Sequence, residues 1–236
     1  MSQAPSNASR EIVKIPVFIE TEILVVVDKP HGWLTTPARL MDDPRPCLGR
    51  ELQRQLDRQI YPVNRLDFEV SGLTLWALDP KSHTQAQAWF EKGQIRKLYE
   101  AYSRAPKNLH SEWQEWKSKL VRGKKRTFVA AHGKDSLTLA RQLSLEGEFC
   151  KWELVAVTGR SHQLRFEMSQ HGFPILGDCL YGGDQARLEN WLALRAVEFN
   201  LSAIATQERL GLPEICRATP LILPADLRLA PTPATR

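Results

Sequence analysis

Residues 61–73 read YPVNRLDFEVSGL. Within them Arg65 and Asp67 stand two apart between apolar neighbours. If residues 63–67 form a strand, both side chains leave the same face while Leu66 points into the core. The two would then project together as a carboxylate beside a guanidinium. An arbitrary Arg-x-Asp is more often a surface charge pair of little energetic worth. Ser71-Gly72 adds weight to the chemical reading, because it permits a tight backbone passage into the next apolar run. An acid held at such a turn sits at a sheet end, where sites tend to form.

A second constellation lies in VTGRSHQLRFEMSQHGFPILGDCLYGG, residues 157–183. Arg160, His162 and Arg165 cluster there, a set that fits phosphate contacts or a guanidinium–carboxylate pair. PILGD followed by LYGG reads as a glycine-rich loop with close backbone approach, without the pattern of a P-loop or a dinucleotide fingerprint. A third is RKLYEAY, where Tyr99 lies beside Arg96 and Lys97; an aromatic next to basic residues suits base stacking. The basic run VRGKKRT (121–127) is either a solvated loop or a track for a nucleic-acid backbone. Other chemistries fit poorly. There is no G-x-S-x-G elbow, no H-E-x-x-H spacing and no close carboxylate pair of the retaining-glycosidase kind. Cys47, Cys150, Cys179 and Cys216 form no C-x-x-C, so they are expected to be reduced thiols rather than metal ligands.

These groups need elements to position them. EILVVVDKP (22–30) predicts a buried strand ended by Lys29-Pro30. Leu48, Leu52, Leu56 and Ile60 recur every four residues and predict one apolar stripe on a helix over 48–60. LTLWAL (73–78) reads as a buried strand. Asp79-Pro80 then supplies an N-cap and a first-turn proline for a helix with Ala86, Trp89 and Phe90 inside, stopping near Gly93. KLYEAYS, TFVAA, SLTLARQLSLE, CKWELVAV and HQLRFEM read as strands, and DQARLENWLALRA (184–196) as a helix. The sum is an α+β fold with a mostly antiparallel, mixed sheet flanked by helices and loops.

A chain of 236 residues with 42% hydrophobic and 25% charged residues can bury a proper core. The net charge of +5 mildly favours a polyanionic partner. No apolar run approaches the ~18 residues of a membrane span. The polar start lacks the apolar centre of a signal peptide, so a cytoplasmic protein is expected. The organisation expected is a leader over 1–11, one catalytic domain over 12–228 and a tail over 229–236.

Four segments in order resemble the RluA-type family of RNA pseudouridine synthases: ILVVVDKPHGWLTTPA (23–38), NRLDFEVSGLTLWAL (64–78), KLYEA (97–101) and TGRSHQLRFEMSQHGFPILGDCLYG (158–182). The resemblance spans about residues 20–200. It implies the pseudouridine synthase catalytic fold, with a cleft across the sheet, acting on uridines of structured tRNA or rRNA. It implies that Asp67 is the catalytic aspartate, that Arg165 ion-pairs with it, and that Tyr99 packs on the target base. Arg65 would hold or displace the flipped nucleotide, and Leu164 would line the base pocket. Arg160, His162 and Lys97 complete the expected RNA-binding set. The isomerisation involves no redox change, so no cofactor or metal is expected, and a monomer is the expected state.

The chain departs from the family pattern at Asn64 (usually His), Val70 (usually Thr), Phe166-Glu167 (often Val-His) and Arg195 (often His). Glu167 is expected to add negative charge near the site. The chain begins almost at the catalytic core, so substrate choice is expected from the core surface, including the 117–127 region and the C-terminal segment, rather than from an S4 domain. A second reading is a non-catalytic RNA-binding protein or chaperone on the same fold, which Asp67→Ala would separate from an enzyme.

Overall fold

The computed structural model describes residues 14–38, 43–183, 191–224 and 227. The expected leader over 1–11, the tail over 229–236 and residues 184–190 of the predicted helix lie outside them. β1 (Val17–Glu20) pairs antiparallel with β2 (Leu24–Lys29). β2 is apolar on both faces because both are covered. Val25 and Val27 pack with Leu48 and Leu52 of α1 (Leu48–Leu56) and with Trp76. Ile60 joins this cluster from beyond the helix, which ends at Asp57 in a left-handed conformation. Leu24 and Val26 pack on the other face, with Ala86 and Trp89 of α2 (Pro80–Glu91). Asp79 caps α2 as expected, accepting from the amides of Lys81 and Ser82 at 2.9 Å each.

Between these helices run β3 (Tyr61–Pro62) and β4 (Ser71–Ala77). The chain continues through β5 (Arg96–Arg104), β6 (Gln114–Arg122), β7 (Thr127–Val129), β8 (Lys134–Glu146) and β9 (Phe149–Ala156). It then forms α3 (Gln163–Gln170), β10 (Leu194–Asn200) and β11 (Ile215–Arg217). The described strands make one sheet in the order β1-β2-β4-β10-β5-β9-β8-β6-β7, with β3 on β4 and β11 on β10. The pairings are antiparallel except β4 with β10. That parallel seam explains Gly72. Its φ is +112°, and a Cβ there would stand 2.1 Å from the Ala196 carbonyl oxygen, so only glycine fits. The result is the expected α+β, mostly antiparallel mixed sheet.

Three local expectations are corrected. Residues 63–67 are a loop, not a strand; the ladder breaks after Pro62, and Asn64 Oδ1 accepts the Leu75 amide at 2.7 Å in place of a strand partner. HQLRFEM is helical from Gln163. Its apolar residues alternate, yet Leu164 and Met168 also stand four apart, and both are buried against the main core. LALRA is not helical: Leu194–Asn200 is the central strand β10, held between β4 and β5. Being buried on both faces, it carries no strand alternation to read. Among the described residues, no helix is long and apolar enough to cross a membrane.

Candidate active site

The loop between β3 and β4 is fixed from the segment that follows β2. Thr35 Oγ1 accepts the Leu66 amide (3.1 Å) and donates to the Leu66 carbonyl (2.8 Å). His31 Nδ1 donates to the Glu69 carbonyl at 2.5 Å. Lys29 is fully buried, and its ammonium donates to the carbonyls of Trp33 (2.7 Å), Pro30 (3.0 Å) and Phe68 (3.2 Å). Burial pushes the Lys29 pKa down to about 7, against the opposing pull of Asp67 and Glu69. Leu66 is buried in the main core, while Arg65 and Asp67 face the cleft described below. Loop anchoring thus gives the outcome that strand alternation predicts, by a different route.

Facing this loop is the turn into α3. Gln163 is buried and satisfied on every side. Its Oε1 accepts from Thr158 Oγ1 (2.8 Å) and the Arg160 amide (3.0 Å), and its Nε2 donates to the Leu137 carbonyl (3.0 Å) and Thr138 Oγ1 (2.9 Å). This lock sets His162 in a left-handed conformation, φ 53°, and starts the helix that carries Leu164 and Arg165.

Between loop and turn lies a cleft of about 830 Å³, within the ~300–1,000 Å³ typical of ligand sites. It brings together every residue expected at the site. Asp67 and Arg65 come from the loop, Tyr99 and Lys97 from β5, and Arg160, His162, Leu164 and Arg165 from the turn and α3. Tyr99 is buried, and burial together with the Asp67 charge pushes its phenol well up, so it is neutral. Burial also lowers the Lys97 pKa. Arg160 Nε donates to the Asp135 carbonyl at 2.9 Å.

Arg165 is 3% exposed, and its Nη1 lies 3.8 Å from Asp67 Oδ2. The tighter partner is one that sequence reasoning missed. Asp178, from the PILGD loop, accepts from Nε and Nη2 of Arg165 at 2.8 Å each. Glu69 accepts from Nη1 at 3.0 Å. Burial pulls the Arg165 pKa down, but the hydrogen bond and charge of Asp178, with Glu69 and Asp67, outweigh it and hold the guanidinium firmly charged. His162 Nε2 stands 3.9 Å from Asp67 Oδ2. Burial, with the charges of Arg165 and Arg122, lowers the His162 pKa despite Asp67. Its Nδ1 meets the Tyr181 hydroxyl at 3.1 Å, and that hydroxyl accepts the Thr127 amide at 2.7 Å. Arg122 Nη1 lies 3.2 Å from each ring nitrogen. The basic β6–β7 hairpin is therefore tied to the cleft edge. One half-buried carboxylate, near a fixed guanidinium and a neutral aromatic face, can attack or deprotonate a sugar whose base lies on the ring.

Residues 23–170 match the profile of a family described as RNA pseudouridylate synthase. The chain is 30% identical over 189 residues, 78% of this chain and 76% of the relative, to the dual-specificity RNA pseudouridine synthase RluA of Vibrio cholerae. The chain belongs to the RNA pseudouridylate synthase family. It is an RNA pseudouridine synthase, an isomerase whose substrate is RNA. A second relative from Vibrio cholerae, named tRNA pseudouridine synthase C, is 28% identical over 71% of this chain and 74% of its own length. The fold is shared with human RNA Pseudouridylate Synthase Domain Containing 1, TM-score 0.70 and 20% identity over 95% of this chain and 98% of that one.

In this pseudouridine synthase the departures from the family pattern have structural partners. Asn64 caps the β4 edge through Leu75, and Val70 is buried in the main core. Arg195 pairs with Asp28 at 2.5 Å and donates to the Thr219 carbonyl at 2.9 Å. Glu167 is fully buried and is absent from the cleft lining. Burial pushes its pKa up, beside Ser118 and Ser136. One turn along α3 it meets His171 (3.8 Å), whose ring stacks on Trp116 with centroids 4.2 Å apart.

Proposed function

We propose that this synthase isomerises specific uridines in structured tRNA or rRNA, with Asp67 as the reacting carboxylate. The observation that carries the reading is the convergence of Asp67, Arg165 and Tyr99, from three separate segments, on one cleft. The relatives' names, one dual-specificity and one for tRNA, support the choice of substrate class.

The reaction breaks the N1–C1′ bond of uridine, turns the uracil and rejoins it through C5. Asp67 serves either by attacking C1′ as N1 leaves, forming an ester that C5 displaces, or by taking the C2′ proton as N1 leaves and returning it to C2′ when C5 adds to the glycal. Both need the carboxylate ionised and held in place, and Arg165 Nη1 stands 3.8 Å from its Oδ2. The C5 proton then leaves and N1 is protonated. The target base must leave its stack. Tyr99 gives it a neutral aromatic face and Leu164 an apolar wall, while Arg65 holds the displaced nucleotide. Arg160, Lys97 and His162 meet the flanking phosphates and sugars. No oxidation state changes, so the chemistry calls for no cofactor or metal. We read the protein as a cytoplasmic monomer with one catalytic domain over residues 12–228.

The test is to incubate the purified enzyme with tRNA and rRNA from a strain lacking it and to map pseudouridine at single-nucleotide resolution. New pseudouridine at one or a few stem-loop uridines is expected. Turnover of free uridine or UMP with none on RNA would overturn the reading.

A further inference from the structure

The cleft runs on past the residues that meet the target uridine. Ile95, Lys97 and Tyr99 stand two apart, and all three line it. Lys97 and Tyr99 share one face of β5, about 6.7 Å apart along the strand at ~3.3–3.4 Å per residue. Bases stacked on one strand rise only ~3.4 Å. The Lys97 end is therefore too far off for a base still stacked on a uracil at Tyr99, and suits a nucleotide drawn out of the stack.

That end is built of apolar walls and one cation. Phe90, near the end of α2, lines the cleft and is pinned edge-on by Phe199, with centroids 5.9 Å apart at 89°. Val63 and Ile95, also in the lining, are buried in the same cluster. Val157, just beyond β9, is 45% exposed and is the one large exposed apolar side chain of the described residues that lines the cleft. Lys97 Nζ lies 5.9 Å from the Phe90 ring centroid, within cation–π range. Among the described residues the ammonium has no hydrogen bond and no ion pair, and burial alone lowers its pKa. A half-buried cation without a counter-ion, in a cleft that takes RNA, calls for a phosphate. Glu91 is exposed where the cleft ends on α2. Its charge disfavours a second phosphate there and its oxygens can accept from a base amino group. A base is the occupant that this end suits.

We propose that this end of the cleft is a second nucleobase subsite. The base of the nucleotide next to the target uridine lies against Phe90 and Val157, and Lys97 holds the phosphate between the two nucleotides. This rests on the reading of the cleft as the place where Asp67 meets its uridine. Stacking on an aromatic ring is open to every base, so the subsite holds the loop in its unstacked form, with Glu91 adding a preference for a base that carries an amino group.

The experiment measures affinity by single-turnover titration of a stem-loop carrying a uridine that the enzyme modifies. The RNA is made intact, abasic at the nucleotide before that uridine, and abasic at the one after. The proteins are wild type, Phe90→Ala, Val157→Ser and Lys97→Met. For wild type, one of the two abasic RNAs should bind roughly 5- to 50-fold more weakly than the intact one. Phe90→Ala should shrink that penalty to within about 2-fold. Val157→Ser, at an exposed position, should shrink it in part, and decides the matter if Phe90→Ala does not fold. Lys97→Met should lower the salt slope of binding by about 0.7. A wild-type penalty below about 2-fold for both abasic RNAs overturns the proposal. So does a full penalty in the folded variants, since the base then binds elsewhere. An unchanged slope in Lys97→Met overturns the phosphate contact. If wild type modifies no RNA, the proposed function fails and the subsite falls with it; if it modifies RNA without an abasic penalty, only the subsite fails.

Discussion

Asp178 holds the whole charge arrangement at the residue scale. It is buried, it takes one edge of Arg165 through Nε and Nη2, and its Oδ1 also accepts the amides of Leu180 (3.1 Å) and Tyr181 (3.3 Å). Asp178→Asn keeps the shape but leaves a buried guanidinium without its main counter-charge. Breaking such a pair costs roughly 3–5 kcal/mol, so urea unfolding should show a large drop in midpoint with little change in slope. Activity should fall with it, because Nη1 loses its fixed origin. Little of this was legible in the sequence. Asp67, Arg65, Tyr99 and Arg165 stand in segments whose residue types already suggest chemistry. Asp178 reads as a turn residue, Glu69 as a spacer and Lys29 as the end of a strand. Their partners lie far along the chain, 96 positions away for Glu69 and Arg165, so no local spacing announces them.

Elements were legible where one period dominated. α2 announced itself by its cap and inner face, and β2, β4, β5, β8 and β9 by apolar runs or alternation. The two misread elements carry mixed signals. α3 satisfies the alternating and the four-residue periods at once, and β10 is buried on both faces. The 63–67 loop reads as a strand because its side chains alternate, although Thr35, Lys29 and His31 hold it instead of a ladder. The seam at Gly72 is where the sequence and the fold agree most closely. Gly72→Ala places a Cβ 2.1 Å from the Ala196 carbonyl and demands a positive φ. A loss of more than about 2 kcal/mol is expected, read by thermal or urea unfolding. The β4–β10 pair starts directly after the Asp67 loop, so the amides of residues 68–72 should also exchange faster with deuterium. Unchanged stability would mean that the seam tolerates a spacing the register does not allow.

For the whole molecule, the cleft lies between the Asp67 loop and the α3 turn, and the β6–β7 hairpin extends its basic rim. Lys124, Lys125 and Arg126 are exposed on that hairpin, which Thr127 ties to Tyr181 and to the Ser161 carbonyl, at 2.7 Å each. Phosphate contacts release counterions, so each one adds about 0.7–0.9 to the salt slope of RNA binding. Replacing all three by Ala should flatten that slope by roughly 2–3 and leave the single-turnover rate at saturation near wild type. An unchanged slope would remove the hairpin from the RNA surface. The fold class and the family were readable from four motifs in order, because each motif is a patch of one cleft. The RNA target was not, since it depends on rim side chains that no local pattern fixes. The account turns on Asp67, and one comparison tests it most directly. Pseudouridine is mapped across the RNA of a strain lacking the protein, complemented with wild type or with Asp67→Ala at matched levels of folded protein. The account predicts that wild type restores the modified uridines and Asp67→Ala restores none. Pseudouridine at those positions with Asp67→Ala would contradict it.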